Sequence, residues 1–455
     1  MSFENIKSIA KRVIELFGSG GRNAAADTAS VDLMSDAIAE WRGMYADNAP
    51  WIDGKVHSLG LCAAIASEIA RLATVDMKVR ISADIDGGDY ARAEFLSVQF
   101  NRVMPALRRQ AEYGVALGGI VLKPFVRGGG VYVDFVHADS FIPLSTDGGG
   151  SITGGVFLDS ADVGGKSYVR MESHMPSEGG YRIANAAYEI SGSSLGRSVP
   201  LSTVPEWASL EEAVELENVR EPMFAYFKYP LANNVDTESP LGISAFARAV
   251  GLIEQADRQY SRMLWEMESG ERALYVSDTA FRRDNSGNIA LPDKRLYRTL
   301  ASQEDLFEDF TPALREKSII DALDVILTKI EDVCGLARGT FSRAQSNVRT
   351  ATELRAMRQR SYATVLDTQC ALEAALRKCL RVMDIWCDIY NLAPAGGYTA
   401  SFEFDDSVMV DRGAEFEERM AMVAAGVMDK SEMRQWYFGE KAEEVKVEHI
   451  QNGEE

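Results

Sequence analysis

Apolar residues recur every three or four positions through the middle of the chain, which is the spacing of one face of an α-helix. The first run consists of Ile319, Leu323, Ile326, Ile330 and Val333, and the second of Val365, Leu372, Leu376, Cys379, Met383, Trp386 and Tyr390. Proline breaks helix interiors, and none lies between Pro312 and Pro394. Gly335 and Gly339 are the only glycines in that stretch. The pattern predicts two helices that meet near these glycines, and the second, over residues 349–390, would be about 60 Å long.

A third helical run and a small insert precede these two helices. Ser239 and Pro240 are typical of a helix cap and a first helical turn, and the run that they open ends at Gly270. Its apolar face is formed by Ile243, Phe246, Val250, Ile253, Tyr260, Met263 and Met267. The insert that follows is predicted to contain strands at 273–276 and 295–300, a turn at 284–287 and an acidic end at 304–309.

The N-terminal half mixes helical and strand-like patterns. Helical spacing is found at residues 34–45, 58–73 and 91–113. Short strand-like runs follow at residues 119–126, 131–137, 152–158, 167–173 and 181–189, and the glycine-rich turns between them predict an antiparallel sheet of hairpins. After Pro394 a strand at 398–404 leads to a helical tail at 414–448. The predicted fold class is α+β, with long helices and a small mixed insert.

Composition excludes several classes of protein. Of the 455 residues, 46% are hydrophobic and 25% are charged, which excludes wholesale disorder. No apolar stretch reaches the roughly 20 residues that span a bilayer, and the first residues lack the apolar block of a secretion signal. A membrane channel and a secreted protein are therefore both disfavoured. Five cysteines, an odd number spread over a long chain, favour a reducing compartment over a disulfide framework.

The charge balance is acidic. Acidic residues outnumber basic ones by 68 to 48, which gives a formal net charge of −20. A protein that holds nucleic acid tightly carries a basic surface. The chain as a whole lacks such a surface. Its acidic balance could simply confer solubility, which is the commoner meaning, or it could keep a polyanion from sticking to a surface that it must slide past.

Residue patterns that support catalysis or metal binding are sparse. The four histidines have no partner at metal-ligand spacing, and the chain contains no phosphate loop, nucleophile elbow or dinucleotide-binding fingerprint. We therefore predict no catalytic residue, no cofactor and no metal site. The alternative is an acidic cytosolic metal-dependent enzyme, nuclease-like, whose first candidate ligands would be Asp84, Asp86 and Asp89.

The loop between the two proline-free helices is basic within this acidic chain. Its small, polar and basic side chains are Arg338, Thr340, Ser342, Arg343, Gln345, Asn347 and Arg349. One interpretation is an ordinary exposed interhelical loop. The other is a loop that touches DNA phosphates through arginines and hydroxyls without reading bases.

The order of these elements resembles the portal proteins of tailed double-stranded DNA bacteriophages, in the siphophage-type family. Residues 34–45 are similar to the Trp/Tyr helix near the family's N-terminus, and residues 229–244 to the segment that leads into its stem helix. Residues 350–354 resemble the start of its long helix. Residues 426–434, with 437–439, resemble its near-C-terminal helical segment.

The resemblance implies a domain order. It makes residues 1–235 an α+β wing, 236–270 a stem helix, 271–315 a clip and 316–337 the returning stem helix. It makes residues 338–349 a tunnel loop, 350–409 the long tunnel helix with a return to the wing, and 410–455 a helical crown.

The resemblance also implies a function without catalysis. The chain would form a ring, usually of twelve subunits, that serves as the channel for DNA packaging and ejection at one capsid vertex. Its expected partners are other copies of itself, terminase, a head-tail adaptor, the major capsid and scaffolding proteins, and weakly held double-stranded DNA. The expected location is the virion, with the host cytoplasm during assembly, and no membrane is expected. Another head-tail connector component remains an alternative.

Subunit contacts in such a ring would be large and apolar. The candidates are Met263, Trp265, Met267, Trp386 and Tyr390. The same residues could equally belong to the core of a single chain, and the sequence leaves both interpretations open.

Overall fold

The computed structural model of the chain describes residues 28–84, 90–192, 194–269, 273–277, 297–300, 307–310, 315–343, 351–404 and 412–438. The chain divides into two compact units, Met1–Phe402 and Glu403–Glu455. Each unit is described by itself. The mixture of helices and sheets confirms the predicted α+β class.

The first unit contains most of the described helices. They are α1 (Thr28–Tyr45), α2 (Leu61–Thr74), α3 (Ala91–Phe100), α4 (Met104–Leu117), α5 (Val250–Ser269), α6 (Glu316–Cys334) and α7 (Ala351–Tyr390). The two helices predicted from the proline-free stretch are confirmed as α6 and α7. With 40 residues, α7 is about 60 Å long.

The single helix predicted over residues 91–113 is wrong, because the structure has two. A turn at residues 101–103 ends α3, and Pro105 lies in the first turn of α4. Proline fits a first turn, where its missing N–H has no helical partner, but not a helix interior. The apolar spacing continues through the break and therefore concealed it.

In the described part of the chain the strands form four sheets. Their members are β1 (Lys78–Ala83), β2 (Gly119–Arg127), β3 (Gly130–His137), β4 (Phe141–Thr146), β5 (Ile152–Val163), β6 (Lys166–Ser177), β7 (Gly180–Ser191), β8 (Ser194–Val199), β9 (Ala213–Glu217), β10 (Ala225–Lys228), β11 (Ala273–Ser277), β12 (Tyr297–Leu300), β13 (Phe307–Phe310) and β14 (Tyr398–Glu403). The sheet orders are β1-β14, β10-β2-β3, β12-β11-β13 and β4-β5-β6-β7-β8, with β9 also paired to β7. The predicted hairpins are confirmed by the antiparallel registers of β2 with β3, β5 with β6 and β6 with β7.

The C-terminal half of α7 lies in the main apolar core. It packs on β2, β10 and α2, and its residues Leu376, Cys379 and Met383 are fully buried.

A buried arginine reinforces this packing. Arg92, at the start of α3, donates to the Asp384 and Asp388 carboxylates of α7 at 3.1 and 2.6 Å. These ion pairs tie α3 to the end of the long helix.

The predicted start of the third long helix is wrong. The structure begins α5 at Val250, after a single 3₁₀ turn, rather than at Pro240. Ile243 and Phe246, which the helical pattern includes, are fully buried in the core. The extent of the helix was therefore overestimated by about three turns.

The segment before α5 is held by bonds that compete with a helix. The Ala245 N–H donates to the Val115 carbonyl of α4 at 3.0 Å, and the Gly242 N–H donates to the Tyr226 hydroxyl at 3.2 Å. A β-carbon at Gly242 would collide with the carbonyl of Gly118, so the two backbones approach closely. Because backbone groups bonded to another element cannot make helical bonds, the helix starts later.

A small sheet occupies the insert between α5 and α6. Strand β11 pairs in parallel with β12 and in antiparallel with β13. The two predicted strands are confirmed. The acidic stretch at 304–309, expected to end the insert, overlaps β13, and the predicted turn at 284–287 lies outside the described residues.

A buried charge cluster joins two sheets, and we call it the Glu172 cluster. Glu172 on β6 accepts from Lys123 of β2 at 2.9 Å, from Arg170 at 3.0 Å and from His174 Nε2 at 2.8 Å. Burial alone would raise the pKa of the Glu172 carboxyl, but the charge of Lys123 and the hydrogen bond from His174 hold that pKa well below its usual range. The cluster therefore places an ionised carboxylate between the sheets.

Residues 412–438 of the second unit form two short helices, α8 (Arg412–Ala424) and α9 (Lys430–Phe438). The helical tail predicted over 414–448 is divided at Gly426, whose φ of 70° is the left-handed conformation that commonly follows a helix. Phe416 of α8 meets Tyr437 of α9 edge to face, with ring centroids 5.4 Å apart. Residues 439–448 of the predicted tail lie outside the described part of the chain.

Candidate functional site

Helix α6 ends against the side of α7. Gly335 follows α6 with a left-handed φ of 70°, and its carbonyl accepts from the Thr364 hydroxyl of α7 at 2.9 Å. A β-carbon at residue 335 would collide with that hydroxyl. Glycine is therefore required here by both the backbone angle and the space. We call residues 335–343, which follow this contact, the loop root.

A buried carboxylate organises the loop root. Glu331, in the last turn of α6, is fully buried. Its oxygens accept from the N–H groups of Gly339, Phe341 and Ser342 at 3.1, 2.5 and 2.7 Å, and from the Ser342 hydroxyl at 2.8 Å. The four donors are neutral, so backbone amides and a hydroxyl replace the water that the carboxylate loses on burial.

The next residue of α6 binds two arginines. Asp332 accepts from Arg338 Nε and Nη2 at 3.0 and 2.8 Å, a two-bond pair, and from Arg360 Nη1 of α7 at 2.9 Å. The hydrogen bond from Arg338 lowers the pKa of Asp332, and the same bond raises the pKa of Arg338. This carboxylate thus connects α6, the loop root and α7.

Two further groups of the predicted loop are held locally. The Thr340 hydroxyl donates to the Ala337 carbonyl at 2.6 Å. The Arg343 N–H donates to Asp324 at 2.6 Å, and Arg343 Nη1 lies 3.6 Å from the Asp321 carboxylate. Both acids belong to α6. The loop root is therefore attached to the helix that precedes it.

Four of the seven predicted loop residues are brought together at the end of α6. They are Arg338, Thr340, Ser342 and Arg343. The other three, Gln345, Asn347 and Arg349, lie outside the described residues. Sequence reasoning missed the acids that hold the loop root, Glu331, Asp332 and Asp324. Their only signal was two adjacent acids just before Gly335, a pattern that resembles a solvated helix face.

The far ends of α5 and α6 are also joined. Glu266, near the end of α5, accepts from the Arg315 N–H at 3.2 Å and from its Nε and Nη2 at 3.1 and 2.9 Å. The hydrogen bond from Arg315 lowers the pKa of Glu266. Because Arg315 directly precedes α6, this pair closes the base of the insert. The Glu266–Arg315 pair thus joins α5 to the start of α6, while Glu331 and Asp332 join the end of α6 to the loop root and α7.

The candidate interface residues lie in different surroundings. Trp265 and Met267 on α5 are 63% and 44% exposed, and Met263 is half-buried. Tyr390 is exposed at the end of α7. Trp386 is buried, and its Nε1 donates to the Pro124 carbonyl at 2.8 Å. Trp386 therefore belongs to the core of the chain, one of the two interpretations that the sequence left open.

The aspartates of the alternative enzyme hypothesis are only partly described. Asp84 accepts from the Thr399 hydroxyl at 2.5 Å and its N–H donates to the Gly397 carbonyl at 3.2 Å, so it helps to join β1 to β14. Asp86 and Asp89 lie outside the described residues. Within the described ranges, no three His, Cys, Asp or Glu side chains gather as metal ligands.

Nor does any helix in those ranges combine the length and apolarity needed to cross a bilayer.

Comparisons with known proteins bear on the family. Among solved structures, the chain is similar to one from the neck of a native GTA particle computed with C12 symmetry. That similarity has a TM-score of 0.42 and 12% identity, and it covers 94% of this chain and 98% of that one. No curated protein matches this sequence. The family model described as phage portal protein, SPP1 Gp6-like, matches residues 98–455. Since that match covers more than half of the chain, the protein belongs to the SPP1 Gp6-like phage portal protein family.

Proposed function

We propose that this chain is the repeating subunit of a portal ring, a channel at one capsid vertex through which double-stranded DNA enters and leaves the head. The observation that carries the proposal is the family match over residues 98–455, which includes α5, α6, the loop root and α7. We propose a closed ring, since closed rotational symmetry is the common way for identical chains to assemble, and we propose about twelve copies because the resemblance to portal proteins implies that number.

The proposed domain order follows from the family. Residues 1–235 would be the wing, 236–270 and 316–337 the two stem segments, and 271–315 the clip. Residues 338–349 would be the tunnel loop, 350–409 the tunnel helix with the return to the wing, and 410–455 the crown. Within the first stem segment, the helix itself starts at Val250.

The hairpin of α5 and α6 has the stiffness that a channel wall needs. The Glu266–Arg315 pair joins α5 to the start of α6, and Glu331 and Asp332 fix the end of α6 to the loop root and, through Arg360, to α7. The bonds at both ends are charge-assisted, which makes them stronger than neutral hydrogen bonds. A wall of such hairpins can surround a moving polymer without deforming around it.

The acidic charge supports a conduit rather than a tight DNA binder. Each copy carries −20, and a ring multiplies that charge. DNA binding strengthens with each phosphate that a protein neutralises. A ring of acidic subunits therefore holds DNA weakly and lets it slide.

Partners and location follow from the same proposal. The exposed Trp265 and Met267 on α5 would contact neighbouring copies. Terminase and the head-tail adaptor would dock on the ring, and the capsid and scaffolding proteins would surround it in the virion. The chain would have no catalytic role, so terminase would supply the energy of packaging.

The test is reconstituted packaging. Capsid, scaffolding and terminase proteins from the same phage are produced with and without this chain, and the heads are assayed for DNA protected from nuclease. We expect protected DNA only when the chain is present. Heads that fill equally well without it would overturn the proposal.

A further inference from the structure

Two arginines, Arg338 of the loop root and Arg360 of α7, share the Asp332 carboxylate at the end of α6, which lies behind them. The side chains of Arg338 and Arg360 are 53% and 55% exposed, while that of Asp332 is only 17% exposed. Solvent, or a polyanion in it, therefore meets the two guanidinium groups before it meets the carboxylate. Three of their N–H groups already point to Asp332.

The charges around the loop root balance. Residues 321–343 together with Arg360 contain four acids and four bases: Asp321, Asp324, Glu331 and Asp332 against Lys329, Arg338, Arg343 and Arg360. The described part of the loop therefore is not a basic patch once it is folded, although it appears basic in the sequence. Its positive side chains are matched by acids of α6.

A phosphate that approached this surface would compete with Asp332. To gain the two-bond contact that arginine makes with phosphates, it would have to displace a carboxylate that already makes that contact with Arg338. An undisplaced carboxylate would repel it. The result is a surface that exposes arginines but has a low affinity for DNA.

We propose that Asp332 keeps the affinity of the loop root for passing DNA low. Its carboxylate neutralises the charge of Arg338 and Arg360 and accepts the hydrogen bonds that these arginines could otherwise donate to phosphates. The inference rests on the proposed portal function, in which DNA passes this loop. It makes Asp332 a positioning and masking residue, and it predicts that loss of its charge turns the loop root into a phosphate-binding surface.

The test measures binding of a 30-base-pair DNA duplex to the full-length chain across a salt titration, by fluorescence anisotropy. Asp332→Asn keeps the shape of the side chain and removes its charge. We expect affinity at low salt to rise about tenfold and the slope of log affinity against log salt to steepen by about one. Binding and slope unchanged from the wild type would overturn the proposal.

Three further variants make that result specific. Glu215→Gln on β9 removes one exposed acid and frees Arg182, its partner at 3.5 Å, far along the chain from the loop. It should leave DNA binding unchanged, and an equal gain would overturn the proposal. Adding Arg338→Gln and Arg360→Gln to Asp332→Asn should abolish the gain. The two arginine changes alone should alter wild-type binding less than twofold, and a larger loss would show that the arginines were never masked.

Particle size, measured on the same samples, separates this inference from the portal proposal. Rings with no gain of affinity in Asp332→Asn would overturn the masking and leave the portal function standing. A gain of affinity in a chain that never forms rings would support the masking and overturn the portal function.

Discussion

Two glutamates that are largely withdrawn from solvent, Glu172 and Glu331, are stabilised in opposite ways. Glu172 lies between two sheets and is surrounded by cationic or ionisable groups, those of Lys123, Arg170 and His174. Glu331 lies under the loop root, and its hydrogen-bond donors among the described residues are neutral backbone amides and a hydroxyl. A buried charge needs partners in either case. The partners decide what the carboxylate does for the fold.

The difference shows what each carboxylate fixes. The partners of Glu172 are side chains of strands that are already paired in sheets, so the cluster sets which sheet faces meet. The partners of Glu331 are N–H groups of a segment without regular structure, so the carboxylate itself defines the path of that segment. We therefore expect damage at Glu172 to unfold the sheet junction and damage at Glu331 to release the loop root.

The largest effect is expected from Lys123→Met. The substitution keeps most of the apolar stem and removes the ammonium group, which leaves Glu172 buried with fewer charges around it. Removing one partner of a buried pair costs about 3 kcal/mol of unfolding free energy. Chemical denaturation of the purified variant measures this loss.

Adding Glu172→Gln to Lys123→Met should recover more than half of that loss, since the uncompensated charge is then gone. A single variant as stable as the wild type would show that Glu172 does not depend on Lys123. The comparison between the two glutamates would then fail.

A smaller and local effect is expected from Glu331→Ala. It leaves the Phe341 and Ser342 N–H groups and the Ser342 hydroxyl without an acceptor, at a cost of about 2 kcal/mol after partial rehydration. The Gly339 N–H keeps a second acceptor, the Ser342 hydroxyl at 3.1 Å. Hydrogen exchange should accelerate at Gly339, Phe341 and Ser342 while exchange in the core of α7 stays slow. Mass spectrometry of peptides from the loop root checks this.

Glu331→Gln is the matched control, because it retains one carbonyl acceptor but presents an NH₂ group to the other donors. Its exchange rates should fall between those of the wild type and Glu331→Ala. Uniform acceleration across the whole chain in either variant would contradict a local role.

The smallest effect is a dependence on pH. Burial lowers the pKa of His174 from 6.5 despite its bond to Glu172, and its Nδ1 has no hydrogen-bond partner among the described residues. The unfolded chain then takes up the proton first. The contribution of neutral His174 to the free energy of unfolding is therefore complete above pH 6.5, and it is lost as the pH falls towards the pKa of His174 in the folded state.

We expect the wild type to lose about 1 kcal/mol more than His174→Gln between pH 7.5 and pH 5.5. Glutamine can still donate to Glu172 but does not titrate. Denaturation curves of both proteins at the two pH values measure the difference. If both proteins lost the same free energy of unfolding between the two pH values, the pH dependence would belong to other groups.

The local pattern of apolar residues, glycines and prolines is sufficient to predict part of this fold. The proline-free stretch predicts α6 and α7 because a helix is specified by residues three and four apart. Glycine-rich turns predict the hairpins because the partner strand lies next in the chain. Both signals lie within a short window of sequence.

Long-range contacts account for what the pattern missed. The delayed start of α5 depends on bonds from Gly242 and Ala245 to segments far from them in sequence. In the same way, Arg338 and Ser342 could be named as loop residues, but Glu331 and Asp332 could not be named as their partners. A helical acid that points to solvent and one that holds a returning loop have the same local pattern.

The most direct test of the portal proposal is the native mass of the purified full-length chain, with negative-stain images of the same sample. A closed ring is expected, at about 600 kDa for twelve copies of 50.0 kDa, with a central opening. A particle that stays at 50.0 kDa at every protein concentration, with no ring in the images, would contradict it.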